Sequence, residues 1–315
     1  MRIVSLLPSA TEICFSLGLG EQVVGVTHEC DYPPEALEKP QLTRSMLPES
    51  LQTHPGTSPP ADPGRSAAID RHVRANVHQG SSLYALDAEL LEKLEPDLII
   101  TQELCAVCAV SYEIVAGAAK RLRGDPRVIS LEPATLEDVF GTIASVAEIC
   151  GVPERGRQTL DLLRAAVGAL RARTKSLQRV RTLLLEWTDP PMSAGHWIPD
   201  LIELAGGEPV LANAGANSQT LDWDAIVRAD VDALLIAPCG YDLEAATLTV
   251  RELCASPRWN ALRAVRDQRV FAIDGSAYVN RPGPRLVRTA EIFAHALHGD
   301  TIGGTLSFDD ALARV

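Results

Sequence analysis

A chain of 315 residues, 46% apolar and only 22% charged, has the size and composition of two ordinary globular lobes that fold without disulfide staples. Its 41 acidic residues outweigh 29 Lys plus Arg for a formal charge of −12, and no basic run occurs, which excludes a footprint for nucleic acid or an anionic membrane surface. Seven scattered cysteines are no secreted disulfide framework and point to a reducing compartment, and no run of about 20 apolar residues offers a membrane span.

The opening "MRIVSLLPSATEICF" lacks the basic stretch and unbroken apolar core of a signal peptide. That predicts a cytoplasmic chain as written; a periplasmic or cell-surface location requires that a leader was removed. Short β-branched runs then alternate with helical patterns. "RIVSL" precedes "SATEICFSLGLG", followed by "QVVGVT", "PDLII" and "RVISL", and later by "RTLLLEW", "IPDLIELAGG", "DALLIAP" and "RVFAID". This alternation predicts an α/β fold with mostly parallel strands. Ser9-Ala-Thr-Glu12 matches the S-x-x-E capping box, so Ser9 is expected to cap the first helix, with the free amides of that helix start facing the ligand cleft.

The order of elements repeats. Each half runs strand, Pro-containing turn, helix, Gly, then an Asp-bearing strand ("EPDLII", "DVDALLIAP") and a last strand beginning Arg-Val. Two similar lobes with a cleft between them are the simplest reading: an N-terminal lobe over 1–134, a helical segment over 135–177 and a C-terminal lobe over 178–315. From Pro153 to about Leu177 the apolar residues Leu160, Leu163, Val167 and Leu170 form one stripe of a long helix, a rigid strut between lobes. Within 48–66, the stretch Pro48 to Gly64 holds five prolines and two glycines, which predicts an irregular surface loop.

In parallel α/β lobes ligands sit at the carboxyl ends of strands, so the segments following the strand runs are the candidates. "HECDYP" supplies His28, Glu29 and Cys30, and "TQELCAVCAV" supplies Glu103, Cys105 and Cys108. His28, Cys30, Cys105 and Cys108 are the imidazole and thiolates that zinc or iron takes. Cys105-x-x-Cys108 also fits a redox pair or the lining of a pocket, and spacing does not choose among these. Trp187, Trp197, Trp223 and Tyr278 gather in the second lobe of a chain that is only 4% aromatic, as a flat apolar ligand requires. There is no G-x-x-x-x-G-K-[ST] loop for phosphate and no G-x-S-x-G nucleophile elbow.

In the order "RIVSLLPSATEICFSLGL", "VVGVTHECDYPPEA", "LEPDLIITQ", "PPMSAG", "IPDLIELAGG", "DWDAIVRADVDALLIA" and "GPRLVRTAEIFAHAL", the chain resembles the cobalamin-binding, helical-backbone class of ABC-importer substrate-binding proteins. The wider family includes haem and ferric-siderophore binders. The resemblance implies a bilobal binding protein with no covalent chemistry and no required cofactor, which captures cobalamin or a related metal complex and passes it to a permease. Pocket aromatics of the cobalamin binders fall on Glu29 and near Glu103 in the first lobe, and on Trp187, Met192 and Trp223 in the second. A pocket aspartate falls on Asp274, with Tyr278 nearby. The acid with which each lobe docks on a transporter falls on Glu89 in the first and beside Asp230 in the second. The alternatives are a metal- or Cys-dependent enzyme built on His28, Cys30, Cys105 and Cys108, and a redox-sensitive interaction protein.

Overall fold

The computed structural model describes residues 1–52, 64–78, 83–102, 112–122, 124–303 and 308–315. The chain divides into two compact units. The first holds Met1–Gln52, Arg71–Pro133 and Glu137–Leu162; the second holds Thr53–Asp70, Ala134–Leu136 and Leu163–Val315.

The first unit is built from β1 (Ile3–Ser5), α1 (Pro8–Ser16), β2 (Val23–Gly25), β3 (Thr43–Ser45), the second half of α2 (Arg65–His78), β4 (Tyr84–Leu86), α3 (Ala88–Leu94), β5 (Leu98–Thr101), α4 (Tyr112–Ala119), β6 (Arg127–Ser130), α5 (Leu136–Ile149) and the start of α6 (Pro153–Thr174). Its main sheet is parallel with order β2-β1-β5-β6. Every residue of β1 and β5 is buried, as expected of strands covered on both faces. Val4, Leu6, Leu42, Leu91, Ile99 and Val115 form the core on one face.

The second unit adds β7 (Val180–Thr188), β8 (Pro191–Ser193), α7 (Ile198–Leu204), β9 (Gly207–Pro209), β10 (Gln219–Thr220), α8 (Trp223–Ala229), β11 (Ala233–Ile236), α9 (Leu243–Leu253), α10 (Pro257–Asn260), α11 (Arg263–Arg266), β12 (Val270–Ile273), a π-turn at Gly275–Val279, α12 (Leu286–His298) and β13 (Leu312–Arg314). Strands β9, β7, β11 and β12 run parallel in that order, while β8, β10 and β13 pair antiparallel. Leu183, Leu185, Leu234, Ile236 and Trp259 centre the core.

The repeat read from the sequence is therefore a repeat of topology, β2-β1-β5-β6 against β9-β7-β11-β12, and it extends to individual bonds. The Arg2 backbone N–H donates to Asp97 Oδ2 at 2.6 Å and its guanidinium to the Leu94 carbonyl. In the second unit the Arg181 N–H donates to Asp232 Oδ2 at 2.9 Å and its guanidinium to the Ala229 carbonyl. Both staples lock the start of the unit's first long-range strand pair, Ile3 with Leu98 and Thr182 with Ala233.

Helix α6 runs 22 residues, about 33 Å, and the division between units falls inside it at Leu162. Arg155 near its start donates to the Leu17 and Gly18 carbonyls, which end α1. Thr174 at its close donates to the Leu204 carbonyl, which ends α7. Leu160 and Leu170 are buried while Leu162 is 74% exposed, so the expected stripe is the packed face. Gly156 permits a tight approach to α5, since a Cβ there would lie 2.5 Å from that of Ala147. Among the described residues no helix is long and apolar enough to cross a membrane.

The capping box at Ser9 does not form. Pro8, with its preset φ, takes the first helical position and puts Leu7 at the cap with extended backbone, so Ser9 lies inside α1 and is buried. The hydroxyl that serves the neighbourhood is that of Thr11, which donates to Ser5 Oγ at 2.8 Å.

Candidate functional site

Each unit places a distinct cluster beyond the carboxyl ends of its parallel strands. In the first, Val26 extends β2 by a bridge to Gln41, and Leu42 N–H donates to the Val26 carbonyl. That bridge brings β3 alongside the turn after β2 and sets Thr43 against His28. The His28 backbone N–H donates to Thr43 Oγ1 at 3.2 Å, and His28 Nδ1 lies 2.7 Å from the same oxygen. Strand β4 pairs antiparallel with β3, Tyr84 opposite Ser45, and lays the Tyr84 ring 5.6 Å from the imidazole at 50°. The Tyr84 hydroxyl donates to Glu29 Oε1 at 3.1 Å. Burial pushes the His28 pKa below its ordinary value, so the ring is neutral at pH 7.

Cys30 takes a different course. It is 1% exposed, and its Sγ lies 3.1 Å from Thr11 Oγ1 and 3.2 Å from Thr27 Oγ1. Its thiol is engaged within the wall of the unit. Glu103, Cys105 and Cys108 lie outside the described residues. Among the described residues no group of three or more His, Cys, Asp or Glu side chains is arranged to hold a metal ion.

In the second unit, Trp187 lies near the end of β7 and opposite Met192 of β8. Its Nε1–H donates to the Asp189 carbonyl, and the ring meets Tyr241 edge-on at 5.6 Å and 70°. Tyr241 follows β11. Its hydroxyl lies 3.3 Å from Ser66 Oγ of α2, to which Thr188 Oγ1 also donates. Burial raises the Tyr241 pKa, partly offset by hydrogen bonds from Ser66 and Arg65. The first turn of α2 thus closes over the ends of β7 and β11 within this unit.

Asp274 follows β12 and caps the π-turn, its Oδ1 accepting from Ala277 N–H at 2.6 Å. Tyr278 in that turn donates to Asp310 Oδ2 at 3.2 Å and carries the Arg285 guanidinium over its ring at 5.4 Å. Trp197 is 7% exposed and donates to the Val279 carbonyl, which ties the π-turn to the start of α7. Trp223 opens α8 and packs edge-on against buried Trp259 at 6.3 Å.

The structure therefore gathers Trp187 with Met192, and Asp274 with Tyr278, while Trp197 and Trp223 are turned toward packing. Sequence reasoning did not single out Thr43, Tyr84, Tyr241 or Ser66. Thr43 reaches His28 across 15 residues through the Val26–Gln41 bridge, Tyr84 through its pairing with Ser45 of β3, and Ser66 reaches Tyr241 across 175. Tyr241 had a local signal, since "PCGYD" follows a strand run.

Exposed Glu89 stands in the first turn of α3. Exposed Asp230 is the left-handed closing residue of α8, its carboxylate accepting from Arg263 Nε at 2.9 Å.

A model of the periplasmic binding protein family matches residues 3–277. The vitamin B12-binding protein of Vibrio parahaemolyticus is 23% identical over 293 residues, covering 90% of this chain and 84% of that protein. An ABC transporter substrate-binding lipoprotein of Bacillus subtilis is also 23% identical, over 95% of this chain and 81% of its own length. Among solved structures, the periplasmic haem-binding protein RhuT from Roseiflexus superposes with a TM-score of 0.67 at 27% identity, covering 96% of this chain and 98% of that one.

Proposed function

We propose, starting from the family to which this chain belongs, the periplasmic binding proteins, that it captures cobalamin or a haem-like metal complex and delivers it to an ABC importer. The observation that carries the reading is the pairing of Trp187 with Tyr241 at the ends of β7 and β11, with Met192 beside them. The half-buried Trp187 ring, backed edge-on by the buried Tyr241 ring, and the Met192 thioether make an apolar wall suited to a flat macrocycle. Asp274 and Tyr278 at the π-turn supply polar groups for its rim. Relatives that bind vitamin B12 and haem support this ligand class. We assign the chain no covalent chemistry.

The importer partner rests on the Bacillus subtilis relative and on exposed acids in matched helices. Glu89 and Asp224 hold the same position in α3 and α8, which supports them as the docking pair in preference to Glu89 and Asp230.

Equilibrium dialysis of the purified chain against cyanocobalamin and against haemin tests the proposal. Saturable one-to-one retention at micromolar ligand is expected, weakened about tenfold or more by Trp187→Ala or Tyr241→Ala, in line with aromatic anchors at other interfaces. Retention of neither ligand at tens of micromolar sinks it.

A further inference from the structure

We propose that Ser66 is a positioning residue for ligand capture: its hydroxyl, brought to the second unit by the first turn of α2, holds the Tyr241 ring at the angle that backs Trp187. The inference rests on the capture proposed above and gives a role to a residue 175 positions before Tyr241 in the chain.

The second unit tethers Tyr241 at both ends. At the backbone, its N–H donates to the Pro238 carbonyl at 3.1 Å, and its carbonyl accepts from the Ser276 N–H of the π-turn at 3.0 Å. These bonds fix where the side chain starts, but not which rotamer it takes. The far end is fixed at the hydroxyl, 3.3 Å from Ser66 Oγ. Thr188 Oγ1 donates to the same serine oxygen at 3.4 Å, which leaves the serine proton for the tyrosine oxygen. Thr188 closes β7 one residue after Trp187, so the chain of hydroxyls ties the strand that carries one ring to the loop that carries the other.

The three hydroxyl-bearing residues are shut away from water, with Thr188, Ser66 and Tyr241 at 4%, 6% and 4% exposure. A buried hydroxyl that loses its partner bears the full cost of desolvation, so the ring cannot stay where it is unchanged once Ser66 is truncated. Arg65 also hydrogen-bonds the phenol oxygen, but its long side chain can follow a ring that turns. The one-carbon arm of Ser66, seated between Thr188 and Tyr241, sets one position. The ring so held meets Trp187 edge-on at 5.6 Å and 70°, and the strength of such a pair depends on that angle. Trp187 is itself anchored through Nε1–H to the Asp189 carbonyl, so the free variable in the wall is the angle of Tyr241.

The test is equilibrium dialysis against haemin and against cyanocobalamin with wild type, Ser66→Ala, Ser66→Thr, Tyr241→Phe and the double variant Ser66→Ala/Tyr241→Phe. Ser66→Ala should weaken retention about threefold to tenfold, the range for one lost hydrogen bond, and Ser66→Thr, which keeps the hydroxyl, should stay within about twofold of wild type. In the Tyr241→Phe background there is no phenol oxygen to hold, so Ser66→Ala should change retention by less than about twofold. Without ligand, near-ultraviolet circular dichroism should show Ser66→Ala losing the Trp187 bands, identified as those missing from Trp187→Phe, while the far-ultraviolet spectrum is unchanged. Retention unaltered by Ser66→Ala overturns the assignment and leaves capture intact, as does an equal loss in both backgrounds. Retention of neither probe by the wild-type chain sinks capture and the positioning role together.

Discussion

Glu89 and Asp224 occupy one position in two copies of the same helix. Each is the second residue of a seven-residue helix capped by an aspartate, Asp87 or Asp222, with a basic residue, Lys93 or Arg228, in the last turn. Each helix closes on a left-handed acid, Glu95 at φ 41° or Asp230 at φ 47°. Asp230 is thus the counterpart of Glu95. If the exposed acids dock an importer, the matched pair is Glu89 and Asp224. Charge reversal at either, Glu89→Lys or Asp224→Lys, should cut binding to the importer at least tenfold while ligand retention changes less than twofold. Asp230→Ala should leave importer binding within twofold. Pull-down with the permease reads the first quantity and dialysis the second.

Stability should fall on mild acidification. Burial lowers the pKa of both His28 and His196, with an Asn217 hydrogen bond partly opposing it at His196. His196 Nε2 is buried with no hydrogen-bond partner among the described residues. Below about pH 6.5, the ordinary imidazole value, the unfolded chain takes up protons that the folded chain refuses. The stabilisation is therefore complete above that value and is lost as pH drops toward the lowered folded values. Thermal midpoints at pH 7.5 and 5.5 should differ accordingly. His196→Asn, which suits the φ of 53° at this position, should shrink the difference; an unchanged difference refutes the assignment.

The thiols should divide by reactivity. Cys239 and Cys254 are exposed, whereas Cys14 and Cys30 are buried. Burial, with the neighbouring Cys150 and Cys30, drives the Cys14 pKa far up. Brief alkylation of the folded protein followed by peptide mass spectrometry should find Cys239 and Cys254 modified, with Cys14 and Cys30 reacting only after denaturant. Early modification of Cys30 contradicts the Thr11 and Thr27 contacts.

Gly275→Ala should damage the ligand rim. A Cβ there would lie 2.3 Å from the Pro238 carbonyl oxygen and 2.9 Å from that of Ala237, both backbone atoms that cannot swing aside. The π-turn must shift, disturbing the Asp274 cap and the Ser276 N–H bond to the Tyr241 carbonyl. A loss of about 1–3 kcal/mol in urea unfolding is expected, together with weaker ligand retention.

The parallel strands and the duplication were legible because β-branched runs and Asp-bearing strand starts recur in the sequence at matched places. The start of α1 was misjudged because S-x-x-E competes with a proline one residue earlier, and the preset φ of Pro8 prevails. The aromatic count singled out the second unit, but composition cannot separate Trp187, which meets Tyr241 near the strand ends, from Trp223, which meets Trp259 in the core. That distinction depends on which neighbour the fold supplies. The Thr43 contact to His28 was invisible for the same reason, since it exists only once β3 is seated beside the turn after β2.

The first turn of α2 has a consequence for how the chain is made. Arg65 and Ser66 emerge early in synthesis, yet their partners Thr188 and Tyr241 follow more than a hundred residues later. Most of the first unit can close once Leu162 has left the ribosome, but this turn cannot be seated until β7 and β11 exist. Its docking is a late event in biogenesis, and a nascent chain halted before Tyr241 would carry Ser66 without the surface that receives it.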